Sequence, residues 1–383
     1  MRREELRTPC FVVQEKKLRE NLEILREIRE ETGCRILLAQ KAFSMYRVYP
    51  MIGEYLDGAT ASGLFEARLG YEEMGKENHI FSPAYREEEM PEILRMCGHI
   101  VFNSPAQMKK YRSMVKAAGR SMGLRINPEC STQEGHAIYD PCAPCSRLGT
   151  TLEAFRTELS DEDIASLDGL HFHTLCEQNA DALAETLRAV EKNFGEYLSG
   201  MKWVNFGGGH HITRPDYDRE LLKKCIRHVK STYGAEVYLE PGEAVALNAG
   251  VLMTEVLEIV ENGMKTAILD ASAACHMPDV LEMPYRPPLS GAGDPAQRGA
   301  GEDGYIYRLA GPTCLAGDVI GDYVFDHELR PGERLEFGDM AIYTMVKTNT
   351  FNGMRLPDIV LEKEDGECET VRTFGYEDFK MRL

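Results

Sequence analysis

Residues 35–44 read RILLAQKAFS. Ile36 through Ala39 are apolar, Gln40 is polar, and Lys41 follows. A short apolar run ahead of a stretch with helical character reads as a buried strand. The lysine at its end has two readings. Either it emerges into solvent, or it is a desolvated amine of the kind used for Schiff-base chemistry. A buried ammonium is costly unless it is paired or neutralised, so the second reading needs support from elsewhere in the chain.

Seven further segments share this strand-like character: DGATAS (57–62), HIFSP (79–83), HIVFN (99–103), MGLRINP (122–128), LDGLHFH (167–173), KWVNFGG (202–208) and EVYLEPG (236–242). Helical patterns lie between them, such as FEARLGYEEM (65–74), SPAQMKKYRSMVKAAG (104–119) and DALAETLRAVEKNF (181–194). Strand–helix alternation implies a parallel sheet. Eight such units over about 210 residues fit an α/β fold with a closed (β/α)8 TIM-like barrel. A doubly wound sheet is the alternative that periodicity leaves open. After residue 250 the pattern changes to alternating segments and Gly/Pro turns, as in TEVLEIVEN, MKTAILDAS, GYIYRLAG, ERLEFGDMAIYTM and DIVLEKEDGECETVRTF. This reads as a C-terminal antiparallel β domain, which the strand-like TPCFVVQ (8–14) can join. The expected organisation is a barrel over 20–250 and a β-sandwich or β-barrel domain from 1–19 and 251–383. The turn-rich PPLSGAGDPAQRGAGEDG (287–304) reads as a mobile loop.

The chain has 383 residues, 43% hydrophobic and 28% charged, with a formal net charge of −18. That length supports a full core and two domains. The acidic balance argues against nucleic acid as a partner. It suits a cationic substrate, although acidity also serves solubility alone. The start, MRREELRTPC, has no apolar leader, and the most apolar run (244–260) is broken by Asn248 and Glu255. No membrane span is expected. Eleven scattered cysteines read as reduced thiols of a cytoplasmic protein.

Barrel active sites lie at the C-terminal ends of the strands. Here those ends carry Lys41, Arg147, His171 and His173, the triplet Gly207–Gly208–Gly209 ahead of His210 and His211, and Glu240 and Glu243 in EPGE. Consecutive glycines let backbone N–H groups approach an oxyanion. Each residue also has an ordinary reading: a core histidine, a simple turn, a carboxylate paired with any nearby base. Their shared placement is what carries weight. Cys142 and Cys145 have CxxC spacing, but there is no second pair and no HExxH motif, so no metal centre is expected.

The segments AQKAF (39–43), HFH (171–173), FGGGH (206–210), EPGEA (240–244), GPTC (311–314) and YTMVKTNTFNG (343–353) resemble the fold-type III pyridoxal-phosphate decarboxylases, relatives of alanine racemase. The resemblance spans nearly the whole chain. Within that family, FHTLCEQ (172–178), YDPCAPCSRLG (139–149) and GPTCLAGDVIG (311–321) are most similar to members acting on carboxynorspermidine and carboxyspermidine. The resemblance implies pyridoxal 5'-phosphate as cofactor, held covalently by Lys41. It implies His173 on the ring face, Glu240 at the ring nitrogen, Gly207, Gly208 and Gly209 with Tyr343 at the phosphate, and Arg147 in the same set. It implies Cys314 as an acid reaching the site of a second subunit, hence a homodimer with shared active sites.

A small polyamine substrate would then meet Glu243, His276, Asp279, Glu282 and Asp318, with Arg286 near its carboxylate. Two departures stand out. Glu243 replaces the arginine that in relatives pairs with the phosphate, and Cys176 replaces a serine. Diaminopimelate decarboxylation, racemisation and cofactor carriage without catalysis remain as alternatives. EPGE, GPTC and the long C-terminal β region argue against them in turn.

Overall fold

The computed structural model describes residues 1–133, 137–297 and 304–383. The chain divides into two compact units, one of Glu20–Val245 and one of Met1–Arg19 with Ala246–Leu383. The first strand, β1 (Cys10–Gln14), belongs to the second unit.

The Glu20–Val245 unit is a closed barrel of eight strands in sequence order. They are β2 (Arg35–Ala39), β3 (Gly58–Ala61), β4 (Glu77–Phe81), β5 (His99–Phe102), β6 (Ser121–Arg125), β7 (Gly169–His171), β8 (Trp203–Asn205) and β9 (Glu236–Leu239). Each pairs in parallel with the next, and β9 closes on β2. All eight segments expected as barrel strands are present, and the doubly wound alternative is excluded. Helices fill the intervals. Residues Arg219–Tyr233 illustrate why. Asp218 caps the N-terminus by accepting from the Leu221 amide at 2.9 Å, and Leu222, Cys225, Ile226 and Val229 form the buried stripe. Gly234, at φ +69°, ends it.

The barrel interior is packed by size complementarity. Trp203 points inward, with Nε1 donating to Ser121 Oγ at 2.9 Å. A Cβ at Gly123 or Gly169 would come within 2.3 or 2.0 Å of its ring, so the neighbouring strands carry glycine where the indole sits. His79 and His99 stack 3.9 Å apart beside it, and Tyr238 packs against both.

The other unit is one continuous mixed sheet in the order β13-β12-β11-β10-β1-β15-β16, with β14 also pairing β10. Its further strands are β10 (Gly250–Glu261), β11 (Lys265–Leu269), β12 (Tyr305–Ala310), β13 (Val319–Phe325), β14 (Arg334–Phe337), β15 (Asp358–Glu362) and β16 (Cys368–Arg372). Phe11, Val256, Leu269, Tyr307, Phe325 and Phe337 anchor its core.

The expectation of a purely antiparallel domain needs correction, because β1/β15 and β11/β12 pair in parallel. Parallel neighbours need a crossover longer than a hairpin. The chain provides one between Leu269 and Tyr305, and the β1/β15 pair joins opposite ends of the sequence. The segment ERLEFGDMAIYTM yields only β14. Beyond it the backbone turns, with Asp339 and Tyr343 at φ +55° and +52°. The loop expected at 287–304 lies outside the described residues over 298–303. Its described part includes Pro295–Gln297, a short 3-10 turn. Among the described residues no helix is long and apolar enough to cross a membrane, and all eleven cysteines are free thiols.

Candidate active site

Lys41 sits within the turn that ends β2, which the Ala42 amide closes by donating to the Ala39 carbonyl at 3.2 Å. Gln40 before it is fully buried; its amide donates to the Glu66 carbonyl at 2.9 Å and accepts from Tyr49 Oη at 3.1 Å. This fixes the turn that presents Lys41. The lysine is exposed at the end of β2, with the Arg125 and Glu240 charges acting on it. Desolvation there, then the nearby Arg125 guanidinium, holds its ammonium below the usual lysine range, while Glu240 pulls the other way. An accessible amine that resists protonation is a nucleophile in waiting.

Glu240 lies just past β9 and is 7% exposed. Asn205 Nδ2 donates to its Oε1 at 2.8 Å, and His171 Nε2 lies 3.4 Å from Oε2. Burial alone would raise its pKa. The His171 and Asn205 contacts outweigh that and hold it down to about 2, so the carboxylate stays ionised. His171 is buried, and its ring nitrogens make no hydrogen bond among the described residues.

His173 is held neutral by burial, then by Lys41 and Arg125. Its Nδ1 accepts from the Gly208 amide at 3.1 Å, so its proton sits on Nε2. The glycine turn packs tightly. Gly209 has φ +83°, and a Cβ there would lie 2.0 Å from the Leu175 carbonyl. At Gly208 it would lie 2.4 Å from the Glu240 carbonyl. Gly207, at φ +69°, donates its amide to Asn205 Oδ1 at 2.8 Å. The turn therefore ties the ends of β7, β8 and β9 together. Burial pushes the Cys176 thiol up to about 11, so it is protonated.

Arg125 was not singled out by sequence reasoning. It is 5% exposed, its Nη2 donates to the His173 carbonyl at 3.0 Å, and its guanidinium lies 4.7 Å from the Phe81 ring centroid. Burial lowers its pKa to about 10. The signal was a charged residue inside the apolar strand MGLRI. Arg147, the arginine expected here, is exposed, and its carbonyl accepts from Asn103 Nδ2 at 2.8 Å. Glu66 was also missed; its carboxylate caps the Ser62 amide at 2.7 Å and its pKa is raised by burial.

The sheet unit holds the remaining candidates. Cys314 is exposed, and Asn352 Oδ1 accepts from both its amide and its Sγ at 3.0 Å. Asn352 has φ +59°. GPTC and FNG, far apart in sequence, thus form one clasp. Asp318 is 2% exposed and accepts from Ser272 Oγ at 2.8 Å, Thr313 Oγ1 at 2.6 Å and the Ala274 amide at 3.1 Å. A Cβ at Gly311 would lie 2.2 Å from Asp318 Oδ2. This carboxylate braces the loop carrying Cys314 rather than facing outward.

His276 is likewise fully buried. Nδ1 accepts from the Ser272 amide at 3.1 Å, and Nε2 lies 3.0 Å from the Arg355 carbonyl. Asp279 and Glu282 together hold the Lys347 ammonium, the latter at 2.6 Å. Arg286 pairs with Asp294 and lies over the Tyr323 ring at 5.7 Å. Tyr343 is half-buried with a left-handed backbone, a strained conformation for an aromatic residue.

A family model described as pyridoxal-dependent decarboxylase, C-terminal sheet domain, matches residues 10–341. A carboxynorspermidine/carboxyspermidine decarboxylase of Campylobacter jejuni subsp. jejuni serotype O:6 is 44% identical, covering 99% of each chain. A carboxyaminopropylagmatine decarboxylase of Synechocystis sp. is 42% identical over 99% of this chain and 96% of the relative. The crystal structure of carboxynorspermidine decarboxylase from Campylobacter jejuni, complexed with norspermidine, superposes with a TM-score of 0.92 at 42% identity, covering 99% of this chain and 100% of that one.

Proposed function

Because the chain belongs to the pyridoxal-dependent decarboxylase family, we propose that it converts carboxynorspermidine or carboxyspermidine to norspermidine or spermidine. The observation that carries the chemistry is the Lys41 amine, desolvated beside Arg125 and opposed by the ionised Glu240. The relatives carry the substrate class.

The residues present fit pyridoxal 5'-phosphate. The barrel mouth offers a reactive amine, a buried carboxylate that stays ionised, and a glycine turn with no room for side chains. Of the buried His171 ring, Nε2 contacts Glu240 Oε2 at 3.4 Å and Nδ1 makes no hydrogen bond among the described residues. When bound, the cofactor supplies an electron sink for the bond to the departing carboxylate. Lys41 Nζ would hold it covalently and yield that position to the substrate amine. Glu240, ionised and oriented by Asn205, would keep a proton on the ring nitrogen. His173 would lie against the ring face, its orientation set by the Gly208 amide. Gly207, Gly208, Gly209 and the Tyr343 hydroxyl would hold the phosphate, with Arg147 nearby. Cys314 Sγ, oriented by Asn352, would give a proton to the carbon that has lost CO2.

The proposed active unit is a homodimer in which Cys314 of one copy serves the site of the other. Leu315 and Phe351, beside the Cys314–Asn352 clasp, and nearby Val346 are exposed apolar residues, which supports an interface there. Asp279 and Glu282 already hold one primary ammonium, that of Lys347, and are the acids proposed for substrate amines, with Arg286 near the carboxylate. Asp318 and His276 would act through the loops they brace. A cytoplasmic location fits the free thiols.

The test is CO2 release from carboxynorspermidine, carboxyspermidine, carboxyaminopropylagmatine and diaminopimelate by the cofactor-loaded protein. A carboxylated triamine should exceed diaminopimelate in kcat/KM by about ten-thousandfold, the scale at which a site built to hydrogen-bond polar groups rejects a mismatch. Faster turnover of diaminopimelate would overturn the proposal. The Synechocystis relative favours a second reading, in which carboxyaminopropylagmatine is fastest.

A further inference from the structure

Three residues at the barrel mouth come from separate loops: Glu177 follows β7, His211 follows β8 and Glu243 follows β9. We propose that they form a binding site for a divalent metal ion. One ligand atom from each lies within 4.8 Å of the other two. His211 Nε2 is 3.5 Å from Glu243 Oε2 and 3.9 Å from Glu177 Oε2. A tetrahedral ion about 2.0–2.2 Å from each donor holds its ligands roughly 3.3–3.6 Å apart. The first distance already lies in that range, and the second needs a shift of a few tenths of an ångström.

His211 gives the independent indication. It is 7% exposed, and neither ring nitrogen makes a hydrogen bond among the described residues. A buried imidazole in that state needs a partner for its lone pair or its N–H, and its Nε2 is aimed between two carboxylates. Its loop is fixed on both sides. The His211 amide donates to the Gln178 carbonyl at 3.1 Å, and Thr213 Oγ1 donates to the Ala244 carbonyl at 2.7 Å. The three donor loops are therefore held together before any ion binds. One imidazole and two carboxylates suit Zn2+ or Mn2+ rather than a soft ion. The spacing of the three residues matches no sequence motif, because barrel closure is what unites them.

Calorimetric titration of the chelator-treated, cofactor-loaded enzyme with MnCl2 and with ZnCl2 tests this. One ion per chain is expected. His211→Gln and Glu177→Gln should each weaken binding at least tenfold. Glu177 is exposed, so its variant keeps the fold even where the buried histidine variant does not. The double variant Cys142→Ser, Cys145→Ser should bind as the parent does. Absence of binding by the parent, binding unchanged in Glu177→Gln, or loss of binding in the cysteine variant would each overturn the site. Displacement of the bound ion by equimolar norspermidine would also overturn it, assigning the cluster to an ammonium instead.

Discussion

Lys41 is useful for the same reason that it is costly. Its pKa is depressed in the folded chain, so below the ordinary lysine value of 10.5 the unfolded chain binds the extra proton. Near pH 8 that linkage favours unfolding. Lys41→Met should therefore abolish turnover and covalent cofactor retention, yet leave the Tm of the cofactor-free protein equal or higher at pH 8. A fall of several degrees would assign the side chain a structural role. Asp318 is the opposite case. Its three accepted hydrogen bonds are all internal. Asp318→Asn replaces an acceptor with a donor and should cost about 1–3 kcal/mol of stability in denaturant titration. It should lower kcat/KM by the same factor for a triamine and for diaminopimelate, whereas a loss confined to the triamine would put the carboxylate against substrate. The residue types at these positions were legible in the sequence, but their partners were not. Nothing in GPTCLAGD says that Asp318 turns back onto Ser272, and Arg125 was hidden because one charge inside an apolar strand resembles an ordinary strand end.

At the scale of elements, the barrel strands were readable because each is a short apolar run followed by a polar strand end, and all eight repeat that arrangement. The sheet unit was less readable. Alternation marks a strand without saying whether its neighbour runs parallel, so the β1/β15 and β11/β12 pairs could not be foreseen. β13 is hard to read because the adjacent Gly321 and Asp322 interrupt the apolar run of VIGDYVF. The Cys314–Asn352 clasp needs two loops to meet, which sequence proximity cannot express. Asn352 serves it twice, through its left-handed backbone and through an oxygen that accepts from the Cys314 amide and thiol. Asn352→Gly keeps the backbone and removes both bonds. It should leave stability within about 1 kcal/mol, lower kcat about tenfold or more, and speed Cys314 modification by a disulfide reagent. Unchanged kcat would mean that thiol orientation is set elsewhere.

Across the whole molecule, buried neutral histidines make acid the weak side. Burial lowers His99 to about 3 and His210 and His276 to about 4, against about 6.5 in an unfolded chain. Their contribution is fully present above the unfolded value and is lost as pH falls from about 6.5 toward 4, where only the unfolded chain takes up these protons. Denaturant titrations should show stability falling over that window. His99→Phe, which keeps a ring between His79 and Trp203, should flatten the slope by about 1.4 kcal/mol per pH unit, the value for one proton; an unchanged slope would mean that His99 does not titrate with unfolding. Assembly sets the last prediction. Lys41 belongs to the barrel unit and Cys314 to the sheet unit. If one site takes Lys41 from one copy and Cys314 from the other, Lys41→Ala and Cys314→Ala homodimers are both inactive. Mixed and reassembled at random, half the dimers are heterodimers, and each has one site with both residues intact. Activity should recover to about a quarter of the parent's. Verified heterodimers that stay inactive would mean that every site draws both residues from a single chain.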